Sequence, residues 1–156
     1  MYNVGDKVVY PMHGAGVIEA IEEKRILGEN HKYYILKMPI KDMKVMIPVD
    51  NIVGIGIRPV VSKDEADLVI GMFQSCDEDD NGNWNKRYRE NIFRLKTGSL
   101  EDVAYVTKTL IMRNEKKNLS NAERKMLNNS KNILISELIL SKNMTYDEVE
   151  TLLFGN

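Results

Sequence analysis

The residue types that could carry catalysis or hold a metal are few in this chain of 156 residues, and they are widely spaced. Cys76 is the single cysteine, and the two histidines, His13 and His31, do not have metal-ligand spacing. His13 precedes a small-residue turn, 14–16, that lacks the lysine and following helix of a phosphate-binding loop. We therefore expect a protein that is not an enzyme and that holds no metal and no cofactor.

One acidic stretch partly matches a calcium loop. Four residues occupy positions 1, 3, 5 and 6 of the EF-hand pattern, namely Asp77, Asp79, Asn81 and Gly82. Trp84 falls on the apolar position 8, but position 12 needs a bidentate glutamate and is Tyr88. The cationic residues after Trp84 would also repel the ion. We expect an acidic loop with a tight Asn-Gly turn, and a calcium sensor stays open as an alternative.

The segment after this loop is basic. Residues 84–97 contain one acidic residue, Glu90, and five basic ones, which are Lys86, Arg87, Arg89, Arg94 and Lys96. Trp84, the only tryptophan, stands at the expected first turn of this helix, a position that is more often exposed than buried. A flat aromatic ring there can stack on bases while basic neighbours hold phosphates. The alternative is a solvated helix face with Trp84 and Tyr88, four residues apart, packed into a helical bundle.

Overall composition is that of a globular protein, with 43% hydrophobic and 29% charged residues and a net charge of −1. No run approaches the roughly 18 apolar residues of a membrane-spanning helix. The first residues do not form a secretion signal, so we expect a cytoplasmic protein with no membrane partner. Charge is segregated along the chain, because residues 58–83 carry two basic and seven acidic groups, and residues 84–156 carry thirteen and nine.

The first part of the chain has the pattern of a small β domain. Short runs rich in Val, Ile and Tyr, separated by turn signals, predict four or five strands, with candidates at 7–10, 16–26, 33–38 and 44–47. We expect a Tudor-like or SH3-like barrel over residues 1–58. The period of the pattern changes after Pro59, which marks a domain boundary.

From residue 62 onward the pattern is helical. A serine or threonine stands three residues before a carboxylate at four helix starts, Ser62, Ser99, Ser120 and Thr145. A further helix should begin near Asn83. We expect five helices, at about 63–74, 84–97, 100–117, 121–141 and 146–154. The sequence thus predicts an α+β protein, with a β domain at 1–58 and an all-α bundle at 62–156.

Three stretches resemble the CarD/CdnL family of bacterial transcription regulators. Residues 4–18, VGDKVVYPMHGAGVI, are similar to the opening of its RNA polymerase-interacting domain, which transcription-repair coupling factor shares. Residues 83–89, NWNKRYR, and 119–127, LSNAERKML, resemble the helical half that is peculiar to CarD-like regulators. The likeness covers the whole chain. A coupling factor would need a long ATPase domain with a Walker motif, which is not found here.

The resemblance implies a regulator that binds the β subunit of RNA polymerase through its Tudor-like domain and reaches promoter DNA with its helical domain. The family's tryptophan, matched by Trp84, is a wedge in the minor groove at the upstream edge of the transcription bubble. Unstacking a duplex step costs a few kcal/mol, and a fork junction is already strained, so a wedge there favours the open state. Tethering to polymerase supplies effective concentration, which suits the nearly neutral net charge.

The resemblance also implies the contact residues. The DNA side comprises Asn83, Trp84, Lys86, Arg87, Arg89, Arg124 and Lys125. The polymerase side comprises Lys24, Arg25, Lys44 and Met46. Met46 stands where some members have an arginine, and Lys44 shares its strand face by alternation, so we expect Lys44 to substitute in part. We expect a monomer, and an RNA- or ribosome-binding module without polymerase contact is the alternative.

Overall fold

The structure is a computed structural model that describes residues 1–75 and 83–155. Five strands come first along the chain: β1 Lys7–Tyr10, β2 Gly14–Ile26, β3 Glu29–Lys37, β4 Lys44–Pro48 and β5 Arg58–Pro59. They pair in an antiparallel sheet with the order β4-β3-β2-β1-β5. A 3₁₀ turn, Val49–Asn51, and a one-turn helix, α1 Ile52–Ile55, connect β4 to β5.

Alternation along the strands builds the core of the β domain. Tyr34 and Leu36 of β3 are buried, and they lie opposite Ile47 of β4 and Ile18 of β2 respectively. Val8 of β1 joins this cluster. Side chains directly opposite each other share a face, so one face of the sheet is apolar from β4 to β1.

The β2–β3 hairpin extends past the end of β4. The last row of three strands joins Pro48, Tyr33 and Glu22, and beyond it β2 and β3 pair only with each other, as far as Ile26 and Glu29. We call residues 23–30 the hairpin arm. Its residues are exposed on both strands. A two-stranded ribbon with no other element packed on it buries little apolar surface. The hairpin arm is therefore better suited to contact a partner than to form part of a core.

Five helices follow, and each lies within two residues of its predicted bounds. They are α2 Lys63–Ser75, α3 Trp84–Lys96, α4 Leu100–Lys116, α5 Asn121–Lys142 and α6 Tyr146–Phe154. Ser99, Ser120 and Thr145 each accept a hydrogen bond from the backbone N–H three residues later, and Thr145 completes a capping box with Glu148. These local bonds satisfy N–H groups that the helix itself leaves unpaired. The predicted fold class, a small β domain followed by an all-α bundle, is confirmed.

The bundle has one apolar core around α5. Leu134, Ile135 and Leu138 of α5 are almost fully buried, and they belong to the same cluster as Val106 of α4 and Leu95 of α3. Helices α2 and α6 close the cluster with side chains such as Phe73 and Val149, which are also buried. The apolar residues of α4 and α5 therefore face a shared core.

The two domains share a polar contact along α5. Glu137, whose side chain is 2% exposed, accepts two hydrogen bonds of 2.7 Å from the guanidinium of Arg58 and a third, of 3.0 Å, from the N–H of Val61. The Ser136 hydroxyl accepts from the N–H of Ala15 at 2.9 Å. Gly14 makes room for this approach, since a Cβ there would stand 2.9 Å from Ser136 Oγ, and its φ of 116° also favours glycine.

Two features of the β domain were not predicted. Strand β5 extends the sheet past the expected boundary at residue 58, by pairing Arg58 with Val9 and Pro59 with Val8. A two-residue strand with a proline is too short to show alternation. Helix α1 has a single turn that ends on Gly56 with a φ of 86°, and so short a segment shows no helical period. In residues 1–75 and 83–155, no helix is both long and apolar enough to cross a membrane.

Candidate nucleic-acid interface

Trp84 lies at the surface, in the first turn of α3. It is 41% exposed, and its ring stacks on Tyr88 one turn later, with ring centroids 5.0 Å apart and planes 9° apart. The indole Nε1–H donates a 3.1 Å hydrogen bond to Ser120 Oγ, which is the cap of α5. Trp84 is thus not a core residue, and part of its ring is open to a binding partner.

The N-termini of α3 and α5 meet at this tryptophan. Asn83 caps α3 by accepting from Lys86 N at 2.9 Å, and Ser120 caps α5 by accepting from Glu123 N at 3.2 Å. Helix N-termini carry partial positive charge, and two of them side by side favour a polyanion. Asn83 therefore acts here as a cap that sets the start of α3, in addition to its predicted place in the DNA-binding set.

Arg87 is not available for phosphate, contrary to the sequence-based assignment. Its side chain is 3% exposed, and its Nε lies 3.0 Å from Oε2 of Glu123, whose side chain is also 3% exposed. A buried guanidinium paired with a carboxylate cannot reach DNA without breaking that pair. We therefore remove Arg87 from the candidate contacts and assign it to the packing of α3 on α5.

A signal for the burial of Arg87 was present in the sequence. The buried residues of α3 are Arg87, Asn91 and Leu95, at steps of four. This is the spacing of one helical stripe, and its last member is a leucine. A polar residue on a core-facing stripe needs a partner, and Glu123 is likewise on the buried stripe of α5, with Met126. Arg87 entered the DNA-binding set through the family resemblance, which matches the basic run 86–89 as a whole and does not show on which side of the helix each side chain lies.

The other predicted DNA contacts are exposed. Lys86 and Arg89 lie on the solvent side of α3, and Arg124 and Lys125 lie on the first turns of α5. The Arg89 Nε donates to the Asn85 carbonyl at 3.3 Å, and an Arg124 guanidinium nitrogen donates to the Leu119 carbonyl at 3.3 Å. The converging helix starts thus bring the two predicted basic clusters to the same end of the bundle.

A groove runs between α3 and α5 beside the tryptophan. It encloses about 450 Å³, and its walls include Tyr88, Ile92, Lys125, Met126 and Met12 of the turn after β1. Lys125 thus lines the same groove as Tyr88, the ring on which Trp84 stacks.

The polymerase-side residues fall into two places. Lys44 and Met46 lie on β4, the edge strand of the sheet, both exposed, with Met46 opposite Ile35 and Lys44 opposite Lys37. Lys24 and Arg25 lie on the hairpin arm, beyond the end of β4. Glu19 binds Lys44 Nζ at 3.0 Å, and this hydrogen bond raises the pKa of Lys44, so the ammonium is held charged.

Alternation separates the two adjacent cations of the arm. Met46, Ile35 and Ala20 form one cross-strand row, so they share a face, and every second residue of β2 after Ala20 continues that face. Lys24 is on this face, together with Lys44 and Met46. Arg25 is on the opposite face. A partner that packs on the face of Met46 can therefore contact Lys24, whereas Arg25 points to the other side of the arm.

Some sequence-based assignments lie outside the described residues. These are Cys76 and the four calcium-loop positions, Asp77, Asp79, Asn81 and Gly82. Within 1–75 and 83–155, no three His, Cys, Asp or Glu side chains come close enough together to hold a metal ion.

Comparison with known proteins identifies related chains over nearly the full length. The family model described as CarD-like/TRCF RID domain matches residues 2–61, and the model described as CarD, C-terminal domain, matches residues 68–154. A Bacillus subtilis (strain 168) protein named "Putative transcription factor YdeB" is 40% identical over 151 residues, which is 97% of this chain and 99% of that protein.

Among solved structures, the solution NMR structure of the 72-residue N-terminal domain of Myxococcus xanthus CarD is 30% identical to this chain. The matched region covers 38% of this chain and 79% of the chain in that structure, with a TM-score of 0.33. The two family models together span both domains, and the Bacillus relative spans almost all of the chain. The resemblance noted in the sequence is thereby confirmed, and the chain belongs to the CarD/CdnL family of CarD-like transcription factors.

Proposed function

We propose that this protein binds the β subunit of bacterial RNA polymerase through its β domain and inserts Trp84 into the promoter minor groove at the upstream edge of the transcription bubble. The inserted ring stabilises the open complex. The observation that carries the proposal is the position of Trp84, an exposed aromatic ring where two helix N-termini and two basic clusters meet.

The surroundings of Trp84 suit a kinked or unpaired end of a duplex. An aromatic ring can replace the stacking that a base loses at a fork, and such stacking contributes roughly 1–3 kcal/mol per base. Lys86, Arg89, Arg124 and Lys125 are placed to hold the flanking phosphates, which position the protein without reading sequence. The exposed ring therefore supplies the preference for open DNA, and the cations supply affinity.

The edge of the sheet suits the polymerase contact. Strand β4 has a neighbour on one side only, β3, so its other side can pair with a strand of another protein. Met46 offers an apolar contact on this strand, 43% exposed, and Lys44 and Lys24 add positive charge on the same face. We propose that β4 and one face of the hairpin arm form the polymerase-binding surface.

A base analogue placed at the fork tests where the tryptophan goes. Promoter DNA carrying 2-aminopurine at the upstream edge of the bubble reports unstacking as increased emission. Adding this protein to the polymerase open complex should lower the emission at that position, because the base analogue stacks on the indole in place of its lost neighbour, and should not change it at positions inside the bubble. Trp84→Ala should remove the decrease. An equal decrease with Trp84→Ala would show that the ring does not act at the fork.

Co-purification tests the polymerase contact independently of DNA. The chain of 156 residues is immobilised on a resin and incubated with a cell extract that has been treated with nuclease. It should retain the polymerase subunits. Recovery of ribosomal proteins with no polymerase would instead support an RNA- or ribosome-binding module and would contradict the proposal.

A further inference from the structure

We propose that Ser120 and Tyr88 are positioning residues, which hold the Trp84 indole in one orientation on the free protein before any DNA is bound. The consequence for promoter DNA rests on the function proposed above. The orientation itself depends only on contacts within this chain, and it can be tested without polymerase or DNA.

Ser120 holds the edge of the indole. Its Oγ accepts the Trp84 Nε1–H at 3.1 Å and the Glu123 backbone N–H at 3.2 Å, and lies 3.4 Å from the Glu123 carboxylate. A hydroxyl has two acceptor positions and one proton, so these three contacts use all of them. The proton points to the carboxylate, and a lone pair points to the indole. The hydrogen bond to Trp84 therefore has a defined direction.

A buried ion pair anchors this serine. Glu123 also binds Arg87, with Nε to Oε2 at 3.0 Å, and both side chains are almost completely buried. Trp84 and Arg87 belong to α3, whereas Ser120 and Glu123 belong to the start of α5. The network thus links the two helices twice, once through the indole and once through the guanidinium. A surface ring is connected by two hydrogen bonds to the packed interior.

Tyr88 supports the face of the indole. The two rings are nearly parallel, at 9° and 5.0 Å between centroids, and Tyr88 itself packs against the apolar core of the bundle. One face of Trp84 is therefore covered, while the residue as a whole keeps 41% of its surface exposed. The indole is therefore held at its edge and on one face, and its other face is open to a partner. Its side chain does not have to become ordered when the partner binds.

This arrangement reduces the cost of binding DNA. Immobilising a mobile side chain at an interface lowers affinity by a factor of roughly 2 to 10, and here that loss occurs during folding. Replacing Ser120 or Tyr88 should keep the indole in the protein but allow its side chain to reorient. The effect on DNA should therefore be smaller than that of removing the indole itself.

The only tryptophan of the chain is its own probe. In the free protein, Ser120→Ala should increase acrylamide quenching of the tryptophan emission by a factor of about two and lower its anisotropy, because a released side chain regains ps–ns motion. Tyr88→Leu, which keeps an apolar side chain against the core, should have the same effect. Quenching and anisotropy equal to those of the parent protein in both variants would overturn the proposal.

Ser99→Ala is the matched control for the lost helix cap. Ser99 caps α4 with the same 3.2 Å bond, from Asp102 N, and follows the far end of α3, about 20 Å from Trp84 at 1.5 Å per residue. It should lower the melting temperature by the effect of one lost helix cap, which Ser120→Ala also loses, and leave the emission unchanged. A similar change in emission with Ser99→Ala would mean that helix fraying, and not the Ser120 bond, frees the ring.

A double-mutant cycle connects the orientation to open-complex lifetime. Ser120→Ala should shorten the lifetime by roughly 2- to 10-fold in the parent chain, the effect of one hydrogen bond, and should have no further effect on Trp84→Phe, which has no Nε1–H to donate. An equal loss in both backgrounds would contradict the positioning role. If Trp84→Ala leaves the lifetime unchanged while Ser120→Ala still frees the ring, the wedge fails and the positioning stands.

Discussion

Two residues of α3, three positions apart, have opposite environments that their types do not reveal. Trp84 is the apolar one, and it is exposed; Arg87 is the charged one, and it is buried. The reason is where each falls around the helix. Arg87 lies on the stripe that faces α5 and finds Glu123 there, while Trp84 precedes that stripe at the helix start. At this end of the molecule the aromatic ring is therefore open to a partner, and the ion pair belongs to the packing of α3 on α5.

Trp84→Ala should have a modest effect on stability. The ring gives up one stacking contact and one hydrogen bond, which together contribute roughly 1–2 kcal/mol to the free energy of unfolding. A fully buried tryptophan would contribute about 3–5 kcal/mol. Thermal denaturation followed by circular dichroism distinguishes these values. A loss in the larger range would mean that the ring belongs to the core and is not presented to DNA.

Arg87→Ala and Arg89→Ala form a matched pair two positions apart, since Arg87 lies on the buried side of α3 and Arg89 on the exposed side. Arg87→Ala leaves the Glu123 carboxylate buried and unpaired, so it should reduce the free energy of unfolding by about 3–5 kcal/mol. Arg89→Ala should leave stability within about 0.5 kcal/mol, because its side chain is on the surface. Instead it should reduce the slope of log affinity against log salt concentration for duplex DNA by about one.

Chemical denaturation and a salt titration of DNA binding measure both effects. If Arg87→Ala folded as stably as the parent protein and reduced the salt slope by about one, Arg87 would contact phosphate and would not be held by Glu123.

At the scale of elements, the hairpin arm and β4 together define one face for a partner. β4 ends at the row of Pro48, Tyr33 and Glu22, and the arm continues with residues whose side chains alternate between two faces. Lys24 continues the face of Met46, and Arg25 turns away from it. The charged run at 22–25 is therefore divided between two faces of the sheet, and only the face that carries Lys24 continues the face of Met46.

Lys24→Glu should weaken binding to the isolated β subunit by at least tenfold, since it places a like charge against a surface selected for a cation. Arg25→Glu, the same charge change on the next residue, should have little effect. Calorimetry with the full-length chain measures both affinities. A larger loss with Arg25→Glu would assign the opposite face of the arm to the polymerase, and equal affinities in all three proteins would exclude the arm from the interface.

The elements that were predicted correctly have local signals. Ser99, Ser120 and Thr145 predict the starts of their helices, because each capping hydrogen bond joins residues three apart. The bond does not depend on any residue that is distant in the sequence. For Arg87, the spacing with Asn91 and Leu95 could indicate burial, but its partner could not be predicted locally because Glu123 is 36 residues away. The bond between Trp84 and Ser120 could not be predicted for the same reason: it spans the whole of α3 and α4, and depends on how α3 packs against α5.

At the scale of the whole molecule, contacts along α5 join the proposed polymerase surface to the proposed DNA surface. Glu137 binds Arg58 and Val61 of the segment that leaves the sheet, while Glu123, fourteen residues earlier on the same helix, binds the start of α3. One straight helix therefore spans the distance between the domain contact and the tryptophan. The composition break near Pro59 is a boundary in the sequence, but the two parts are packed against each other.

Glu137→Ala should loosen the packing of the β domain on α5 without changing the proposed polymerase surface or the proposed DNA surface. It removes the carboxylate that accepts from the Val61 N–H and from the Arg58 guanidinium, which keeps the Gly98 and Pro59 carbonyls as acceptors. This change should cost roughly 2–3 kcal/mol of unfolding free energy. Affinity for the isolated β subunit should persist, and open-complex lifetime should fall, because the ring is no longer held at a constant distance from the tether.

Glu150→Ala is the control for Glu137→Ala, since its partner Lys131 is 3.7 Å away and both side chains are more than one third exposed. Pairs of that kind contribute less than about 1 kcal/mol, so stability and lifetime should both stay close to those of the parent protein. A Glu137→Ala variant with unchanged lifetime would show that the domains need no constant orientation.

The lifetime of the open complex after a competitor challenge tests the central claim most directly. Polymerase is bound to a weak promoter with the full-length protein at saturating concentration, and heparin is then added. Trp84→Ala should shorten the lifetime by roughly 5- to 150-fold, the range of coupling energies of about 1–3 kcal/mol, while polymerase still retains the variant. A lifetime equal to that of the parent protein, with polymerase binding intact, would contradict the account.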